Sequence, residues 1–373
     1  MLLVNANVYV NGGFTQDAQI RTQNGRIVEI GRNIASLSGE EIRDMEGDML
    51  LPAFVDVHIH AYMGKDTMDG EEAIRHMSRN LRKAGVGAFL PTTMSASAED
   101  TQRTLAAIKA VMENPEKDGA AVLGAHMEAP FLALAKKGAQ MGEYFMSPSD
   151  ENYGKLVGEY GDVVRLITLA PELEGAEEWI RDITKKGVRV SIGHTDATCE
   201  QVHAAADWGA TNVTHLFNAQ TPLLHRDPGV PGATLTDDRL FGQIITDGIH
   251  LHPDIIRLTW RAKGRERTVL ITDAMEAAGM PEGEYMLGGQ KVYVKDGAAR
   301  LASGVLAGST LTMKQALHNL ITRFKIPAED AIWMATAAPA DSISEKGWGR
   351  IAVGMADTFT RWNGNWELME VVG

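Results

Sequence analysis

The sequence predicts an α/β protein: a (β/α)8 barrel of the TIM type with a small β-sandwich domain formed from both chain termini. The middle of the chain alternates short apolar runs of strand length with longer helical segments, which indicates parallel βαβ units. Eight such runs occur, and eight is the number of strands that closes a parallel barrel. An open doubly wound sheet is the alternative, but no glycine-rich phosphate loop follows the first run to support it.

The barrel elements follow one another in order along the chain. The predicted strands are 51–57, 86–90, 121–125, 163–169, 188–192, 211–214, 242–246 and 268–271. The predicted helices are 99–112, 176–186, 199–208, 253–261 and 310–323. Between the eighth strand and its helix, residues 288–301 have the pattern of an inserted hairpin with Asp296-Gly297 at its turn. This hairpin either covers the substrate or is a surface excursion, and the pattern favours neither.

Both ends of the chain alternate apolar and polar residues as β-strands do. The predicted terminal strands are 2–10, a hairpin over 18–30, 349–351, 357–362 and 366–372. Because each set is too small to be stable alone, we expect one shared β domain. The predicted domains are therefore 1–50 plus 345–373 for the β domain and 51–344 for the barrel.

Composition limits the possible functions. A formal net charge of -13 disfavours nucleic-acid binding, although a local basic pocket could still hold a small anionic substrate. No apolar run reaches membrane-spanning length, and the first residues lack the features of a signal peptide. The single cysteine, Cys199, excludes an internal disulfide. We therefore expect a cytoplasmic protein without nucleic-acid or membrane partners.

Histidine, glutamate and aspartate residues stand at the ends of six predicted strands. His58 and His60 end the first strand, and their spacing puts both imidazoles on the same side of it. The other strand-end residues are Glu128, His194, His215, His250 and Asp273. In a barrel these side chains converge on one mouth. Packing does not explain such a set, because buried ionisable groups are costly unless they are paired or bind a metal.

This set of side chains is suited to metal-assisted amide hydrolysis. Imidazoles combined with a carboxylate favour Zn²⁺ or Fe²⁺ over Mg²⁺ or Ca²⁺, which prefer oxygen ligands. A bound metal lowers the pKa of its water to about 7. Asp273 would take a proton from the attacking water and deliver it to the leaving amine, which is a poor leaving group without that proton.

The chain resembles the amidohydrolase superfamily and, within it, the N-acetylglucosamine-6-phosphate deacetylases, over essentially its whole length. The segments that carry the resemblance are 124–131 (GAHMEAPF), 193–197 (GHTDA), 214–219 (THLFNA), 225–229 (HRDPG), 247–250 (DGIH), 272–275 (TDAM) and 306–309 (LAGS). The implied reaction removes the acetyl group of N-acetylglucosamine 6-phosphate and yields glucosamine 6-phosphate and acetate.

The resemblance also implies roles for individual residues. Glu128, His194 and His215 would be the principal metal ligands and Asp273 the acid/base. His58 and His60 would allow a second ion bridged by Glu128, so one or two Zn or Fe ions are expected per subunit. The implied substrate-binding residues are Ala139, Gln140, Asn218, Ala219, Arg226, His250, Leu306, Ala307 and Gly308.

The phosphate site implied by the resemblance is shared between subunits. Arg226 and His250 suit the sugar phosphate, since a guanidinium can bind a phosphate through two hydrogen bonds. In the family a phosphate contact can come from the neighbouring subunit. We therefore expect a homodimer with a shared substrate site.

Three departures from the family pattern leave alternatives open. Ala129 stands where glycine is frequent, Gln140 stands where many members have histidine, and the loop 61–65 (AYMGK) is not glycine-rich. Glutamine can donate a hydrogen bond to a carbonyl but cannot be cationic. N-acetylgalactosamine 6-phosphate is thus an alternative substrate. A cyclic-amide hydrolase is disfavoured because no lysine ends the fourth strand at 168–172, and the intact ligand set argues against a barrel without activity.

Overall fold

The computed structural model describes every residue from 1 to 373. In chain order the strands are β1 (Leu2–Val10), β2 (Gly13–Gln23), β3 (Arg26–Gly31), β4 (Ile42–Asp44), β5 (Met49–Pro52), β6 (Phe54–Ile59), β7 (Ala61–Tyr62), β8 (Lys65–Asp66), β9 (Val86–Thr93), β10 (Ala121–Val122), β11 (Ala125–Met127), β12 (Val164–Leu169), β13 (Arg189–Ile192), β14 (Asn212–Val213), β15 (Phe241–Ile245), β16 (Thr268–Ile271), β17 (Gly283–Leu287), β18 (Gln290–Lys295), β19 (Ala298–Leu301), β20 (Phe359–Trp362) and β21 (Leu368–Val372). The α-helices are α1 (Glu71–Lys83), α2 (Ala98–Glu113), α3 (Asp150–Val157), α4 (Ala176–Lys185), α5 (Cys199–Trp208), α6 (Gly229–Thr236), α7 (Pro253–Arg267), α8 (Met313–His318), α9 (Ala328–Ala335) and α10 (Ala337–Ser342). No helix combines the length and the apolar composition needed to cross a membrane.

Eight parallel strands form the barrel and confirm the predicted fold. Their order around the barrel is β6, β9, β11, β12, β13, β14, β15 and β16. The ring closes at the carboxyl ends, where Asp273 N donates to His58 O at 2.8 Å and His60 N donates to Ala274 O at 3.0 Å. Every residue of β6, β9, β15 and β16 is buried. Parallel strands are covered on both faces, which is why they are recognisable in the sequence as largely apolar runs.

The two chain termini build one seven-stranded sheet, as predicted. Its order is β21-β20-β5-β1-β2-β3, and β4 pairs with β1. The C-terminal strand β20 pairs antiparallel with β5, and Arg361 lies opposite Leu50. This sheet has its own small core, which includes Leu3, Ile20 and Phe359 and is separate from the larger core of the barrel. Neither terminal segment could bury these side chains without the other.

Three predicted strands were wrong in detail. Predicted strand 51–57 is divided between two sheets, because β5 ends at Pro52 in the terminal sheet and β6 begins at Phe54 in the barrel. Predicted strand 121–125 is interrupted at Gly124, whose φ of 136° lies outside the strand region. A side chain at Gly124 would also meet Val163 O at 2.6 Å. The segment 349–351 is not a strand: Gly349 has φ 86°, and Ile351 packs into the terminal core.

Local capping determines where the helix after His194 begins. Thr198 Oγ1 accepts a hydrogen bond from Gln201 N, and Gln201 Oε1 accepts one from Thr198 N. This reciprocal pair is a capping box, which satisfies backbone N–H groups at the start of α5. The capping box determines the residue at which the loop carrying His194 ends and α5 begins. The bounds of α5 agree with the predicted helix 199–208.

Candidate active site

The carboxyl ends of the barrel strands bring six ionisable side chains together. These six residues are His58, His60, Glu128, His194, His215 and Asp273, and each is at most 8% exposed. They lie within or up to two residues beyond the ends of five strands: β6, β11, β13, β14 and β16. Their ligand atoms form two groups, one of Glu128, His194 and His215 and one of His58, His60 and Asp273. Both groups consist of residues that the sequence singled out.

The carboxylate of Glu128 lies between the two groups. Its Oε1 is 3.1 Å from His215 Nε2 and 3.3 Å from His194 Nε2. Its Oε2 is 3.2 Å from His60 Nε2. Burial alone would raise the pKa of Glu128, but His58, His194 and His215 outweigh it and hold the pKa well below its usual range. Glu128 is therefore an ionised carboxylate at neutral pH and faces a ring of imidazoles.

Asp273 completes the second group. Its Oδ1 is 3.3 Å from His60 Nε2 and 3.4 Å from His58 Nε2. Burial raises the pKa of this carboxyl, but the two histidines more than compensate and lower it to about 2. The Oδ2 atom has no hydrogen bond or ion pair with the protein, so one edge of an ionised carboxylate faces the cavity.

The orientation of the imidazoles fits a divalent cation. The Nδ1 atoms of three rings lie next to acceptors: Gln243 Oε1 for His58, Thr92 O for His60 and Lys136 O for His194, at 3.3, 3.2 and 2.8 Å. A carbonyl oxygen only accepts, so Nδ1 carries the hydrogen and Nε2 turns its lone pair towards the centre. The Nε2 atoms of His194 and His215 are 3.1 Å apart. Lone pairs at that distance repel each other unless a cation or a proton lies close to both.

Three of the site residues have an unusual backbone conformation. His194, His215 and Asp273 have φ values of 47°, 30° and 49°, in the left-handed region. Such a conformation costs a non-glycine residue about 1–3 kcal/mol and persists only where the surrounding structure enforces it. For Asp273 backbone hydrogen bonds on both sides supply that constraint, because Asp273 N donates to His58 O at 2.8 Å and Ser309 N donates to Asp273 O at 2.7 Å. Strain of this kind is concentrated at functional sites.

A cavity of about 630 Å³ lies above the two groups. Seven of the predicted substrate-binding residues line it: Ala139, Gln140, Asn218, Ala219, His250, Leu306 and Gly308. His250 Nδ1 is 2.6 Å from Asp247 Oδ2, which orients the ring and leaves Nε2 without a protein partner. Ala307 is buried behind the wall. The cavity therefore collects residues that follow seven of the eight barrel strands, which is where the sequence predicted the barrel mouth.

Arg226 is the predicted residue that the structure does not bring to the cavity. It lies on the exposed loop 221–228 between β14 and α6, and it is absent from the cavity lining. Two large apolar residues on the same loop, Leu223 and Leu224, are 40% and 52% exposed. The loop thus presents an arginine beside an apolar surface that this chain leaves uncovered.

Gln140 lines the cavity, but its side-chain amide is already hydrogen-bonded to protein atoms. Its Nε2 donates to Glu128 Oε2 at 2.6 Å and also contacts Met94 Sδ at 3.5 Å. Its Oε1 accepts a hydrogen bond from Ser95 N at 2.7 Å. A direct contact between Gln140 and a substrate carbonyl stays a prediction, and in the structure its amide is directed at Glu128.

Three cations line the cavity, and Lys136 among them pairs with Asp196 at 3.4 Å; the sequence did not single out the other two, Lys137 and Arg300. Neither has a carboxylate partner, and Arg300 donates only to the backbone O of Gly304 at 2.9 Å. By contrast, Lys291 on the same inserted sheet as Arg300 pairs with Glu284 at 2.7 Å. The position of Lys137, three residues before Gln140, could have indicated it, whereas nothing in the sequence around Arg300 places it near the barrel mouth.

The predicted insertion forms a three-stranded sheet beside the cavity. Strands β17, β18 and β19 pair in sequence order. Leu287 and Arg300 of this sheet line the cavity, and Gln290 Nε2 donates to Ala139 O at 2.6 Å.

Gln243 is a further site residue that the sequence did not single out. A glutamine inside the otherwise apolar strand β15 (FGQII) was the available signal.

Comparison with known sequences identifies relatives over nearly the whole chain. Residues 49–368 match the model of the amidohydrolase family. The N-acetylglucosamine-6-phosphate deacetylase of Lysinibacillus sphaericus is 36% identical over 95% of this chain and 91% of its own length. The N-acetylgalactosamine-6-phosphate deacetylase of Escherichia coli O157:H7 is 37% identical over 90% of this chain and 87% of its own length.

Two solved structures with the same fold are those of N-acetylglucosamine-6-phosphate deacetylases. The N-acetylglucosamine-6-phosphate deacetylase of Pasteurella multocida superposes with a TM-score of 0.93 at 28% identity, covering 100% of this chain and 97% of that chain. A variant of the Mycobacterium smegmatis enzyme in complex with N-acetyl-D-glucosamine-6-phosphate gives a TM-score of 0.91 at 29% identity, with coverage of 100% and 97%.

Proposed function

The chain belongs to the amidohydrolase family, and we propose that it removes the acetyl group of N-acetylglucosamine 6-phosphate, yielding glucosamine 6-phosphate and acetate. The observation that carries this proposal is the ionised carboxylate of Glu128 among four imidazoles on the floor of a cavity lined by unpaired cations. The floor has the residues for amide hydrolysis, and the cations suit an anionic substrate.

Glu128, His194 and His215 would hold one divalent ion, Zn²⁺ or Fe²⁺, and His58, His60 and Asp273 would hold a second. When bound, such an ion polarises the acetyl carbonyl and lowers the pKa of a coordinated water to about 7. Gln243, Thr92 O and Lys136 O keep the imidazoles in the tautomer that this requires.

Asp273 moves the proton. Its free Oδ2 edge accepts the proton of the water as the water attacks the acetyl carbon. The same carboxyl then gives that proton to the sugar nitrogen, because an amine is a poor leaving group until it is protonated. Its position beside His58 and His60 keeps it ionised before the attack.

The phosphate of the substrate binds at the cation-lined side of the cavity. Lys137 and Arg300 supply positive charge there, and His250, whose ring is oriented by Asp247, lines the same cavity. Binding energy from the phosphate, which is remote from the reacting bond, orients the acetyl group over the floor.

The enzyme is a homodimer with a shared phosphate site. Arg226 lies outside the cavity of its own subunit, on a loop with exposed Leu223 and Leu224. Pairing of these loops buries the apolar side chains and carries Arg226 of the partner subunit to the phosphate. A phosphorylated substrate and the free Cys199 are both in keeping with a cytoplasmic enzyme.

N-acetylgalactosamine 6-phosphate is the second candidate substrate. Its support is the Escherichia coli O157:H7 relative, which is as similar to this chain as the glucosamine-type relatives are. The two sugars differ only in the configuration at C4, so the chemistry of the floor would be identical. The loop 61–65 departs from the family pattern, but none of its residues lines the cavity and Tyr62 is packed in the barrel core, so the structure gives this loop no contact with the sugar.

Acetate release by metal-replete protein tests the proposal. The substrates are N-acetylglucosamine 6-phosphate, its galacto epimer and unphosphorylated N-acetylglucosamine, with Asp273→Asn as the inactive control. We expect the gluco phosphate to be the best substrate and the unphosphorylated sugar to lose about a hundredfold or more in kcat/KM, since two charged hydrogen bonds are absent. Release from none of the three sugars would refute the proposed function, and a preference for the epimer would replace the substrate.

A further inference from the structure

We propose that Gln140 is a positioning residue that makes the two ion-binding groups unequal, by holding one oxygen of Glu128. This inference rests on the metal centre of the proposed function but not on the identity of the sugar. In this role the Gln140 amide donates its hydrogen bond to Glu128, on the floor of the cavity, and not to the substrate.

The orientation of the Gln140 amide is determined by its neighbours. Ser95 N can only donate, so the atom 2.7 Å from it must be the amide oxygen. The amide nitrogen therefore points to Glu128 Oε2, at 2.6 Å. Gln140 is 2% exposed, so solvent does not compete for these hydrogen bonds.

Both N–H groups of the amide have partners. One donates to Glu128 Oε2, and the other is directed at Met94 Sδ, 3.5 Å from the nitrogen. The amide oxygen is occupied by Ser95 N. Gln140 thus has no free donor for a substrate carbonyl, and its influence on the reaction passes through Glu128.

The two oxygens of Glu128 consequently differ as ligands. The Oε1 atom faces only imidazole nitrogens, those of His194, His215 and His58 at 3.1–3.3 Å. The Oε2 atom faces His60 and also accepts the hydrogen bond from Gln140. That hydrogen bond occupies one lone pair of Oε2, lowers its basicity and fixes the rotation of the carboxylate.

The group of Glu128, His194 and His215 therefore has the stronger carboxylate ligand. In the second group His60 faces Oε2, so an ion there that took Oε2 as a ligand would share it with Gln140. We infer a tight site at the first group and a weaker site at the second, with Gln140 maintaining the difference. Removing its donor frees Oε2 and loosens Oε1, so the two affinities should converge.

Cobalt release from the full-length holoprotein tests this inference. Protein loaded with Co²⁺ is titrated with a chelator while the visible absorption and the bound cobalt are measured, giving the ratio of the two dissociation constants. In Gln140→Leu, which keeps the bulk but removes both donors, the ratio should fall by about 10–100-fold. In the matched control Met94→Leu, which removes only the sulfur contact, the ratio should stay unchanged. Circular dichroism melting verifies that each variant is folded.

A second variant guards against a folding failure. Gln140→Asn keeps the amide but is one methylene shorter, so it cannot reach Glu128, and it should shift the ratio in the same direction. The inference is overturned if a folded Gln140 variant keeps the wild-type ratio, or if the wild type binds two Co²⁺ ions with equal affinity. Failure of the wild type to bind Co²⁺ at all would instead refute the proposed metal centre, and the inference with it.

Discussion

The floor and the rim of the cavity are built in opposite ways. The floor consists of His58, His60, Glu128, His194, His215 and Asp273, all buried and each held by protein atoms or by its neighbours. The rim includes Lys137 and Arg300, which have no carboxylate partner, and outside the cavity lies the exposed loop 221–228 with Leu223 and Leu224. The floor is preorganised for chemistry, where small displacements are costly, whereas the rim supplies charge that acts over a distance. Changes at the floor should therefore reduce kcat, and changes at the rim should raise KM.

Removal of the metal should have the largest effect. Dialysis against a strong chelator is expected to lower kcat by about a thousandfold or more, because the polarising cation supplies several kcal/mol to the transition state. The loss of kcat is measured as the rate of acetate release before and after readdition of Zn²⁺ or Fe²⁺. The thermal melting temperature should also fall, since an ion that binds only the folded protein stabilises it. Full activity in protein verified to be metal-free would contradict the role of the floor.

Asp273→Asn should be the most damaging single substitution that leaves the ligands Glu128, His194 and His215 intact. We expect kcat to fall by about 10²–10⁴-fold, because the amide cannot accept the proton of the water. The KM for the phosphorylated sugar should change little, since Asp273 carries no positive charge that could bind the phosphate. Steady-state kinetics with parallel measurement of bound metal separates loss of the proton acceptor from loss of the ion.

Disrupting the exposed loop should affect binding and assembly together. The double variant Leu223→Glu, Leu224→Glu is expected to be monomeric by analytical ultracentrifugation. Its kcat/KM should fall by about 10–100-fold, to the level of Arg226→Met in a dimer, because both lack one charged hydrogen bond to the phosphate. A wild-type monomer of full activity would exclude a shared site.

Arg300→Met should have the smallest effect on activity of these changes, and its effect should be the most specific to a cation of the rim. We expect KM for the phosphorylated sugar to rise by about fivefold with kcat unchanged, since exposed ion pairs contribute about 1 kcal/mol. The difference in KM between Arg300→Met and the wild type should decrease at high salt and be absent with the unphosphorylated sugar. Lys291→Met, which removes a paired cation from the same inserted sheet, is the control and should leave KM unchanged. An equal effect on both sugars would indicate that Arg300 supports the fold and not the phosphate.

The sequence was sufficient to locate the floor. Each of its residues lies in or just after a strand, and parallel strands in a barrel deliver their carboxyl ends to one mouth. Recognition of eight apolar runs was therefore enough to predict that His58 and Asp273, more than two hundred residues apart, would meet. The strand interrupted at Gly124 and the loop at 349–351 were mispredicted because their left-handed φ values depend on contacts with distant segments.

The rim and the orientations within the floor were decided by tertiary structure alone. Arg300 reaches the cavity because three strands of an insertion fold beside it, and Arg226 leaves the cavity because of the path of one loop. The amide of Gln140 is oriented by Ser95 N, and three imidazoles by Gln243, Thr92 and Lys136, all from other parts of the chain. The alternation of residues along a strand determines on which face of the strand each side chain lies, and this is a local property of the sequence. A hydrogen bond determines which atom of that side chain faces the centre of the site. The residue that makes this hydrogen bond comes close only when the chain has folded.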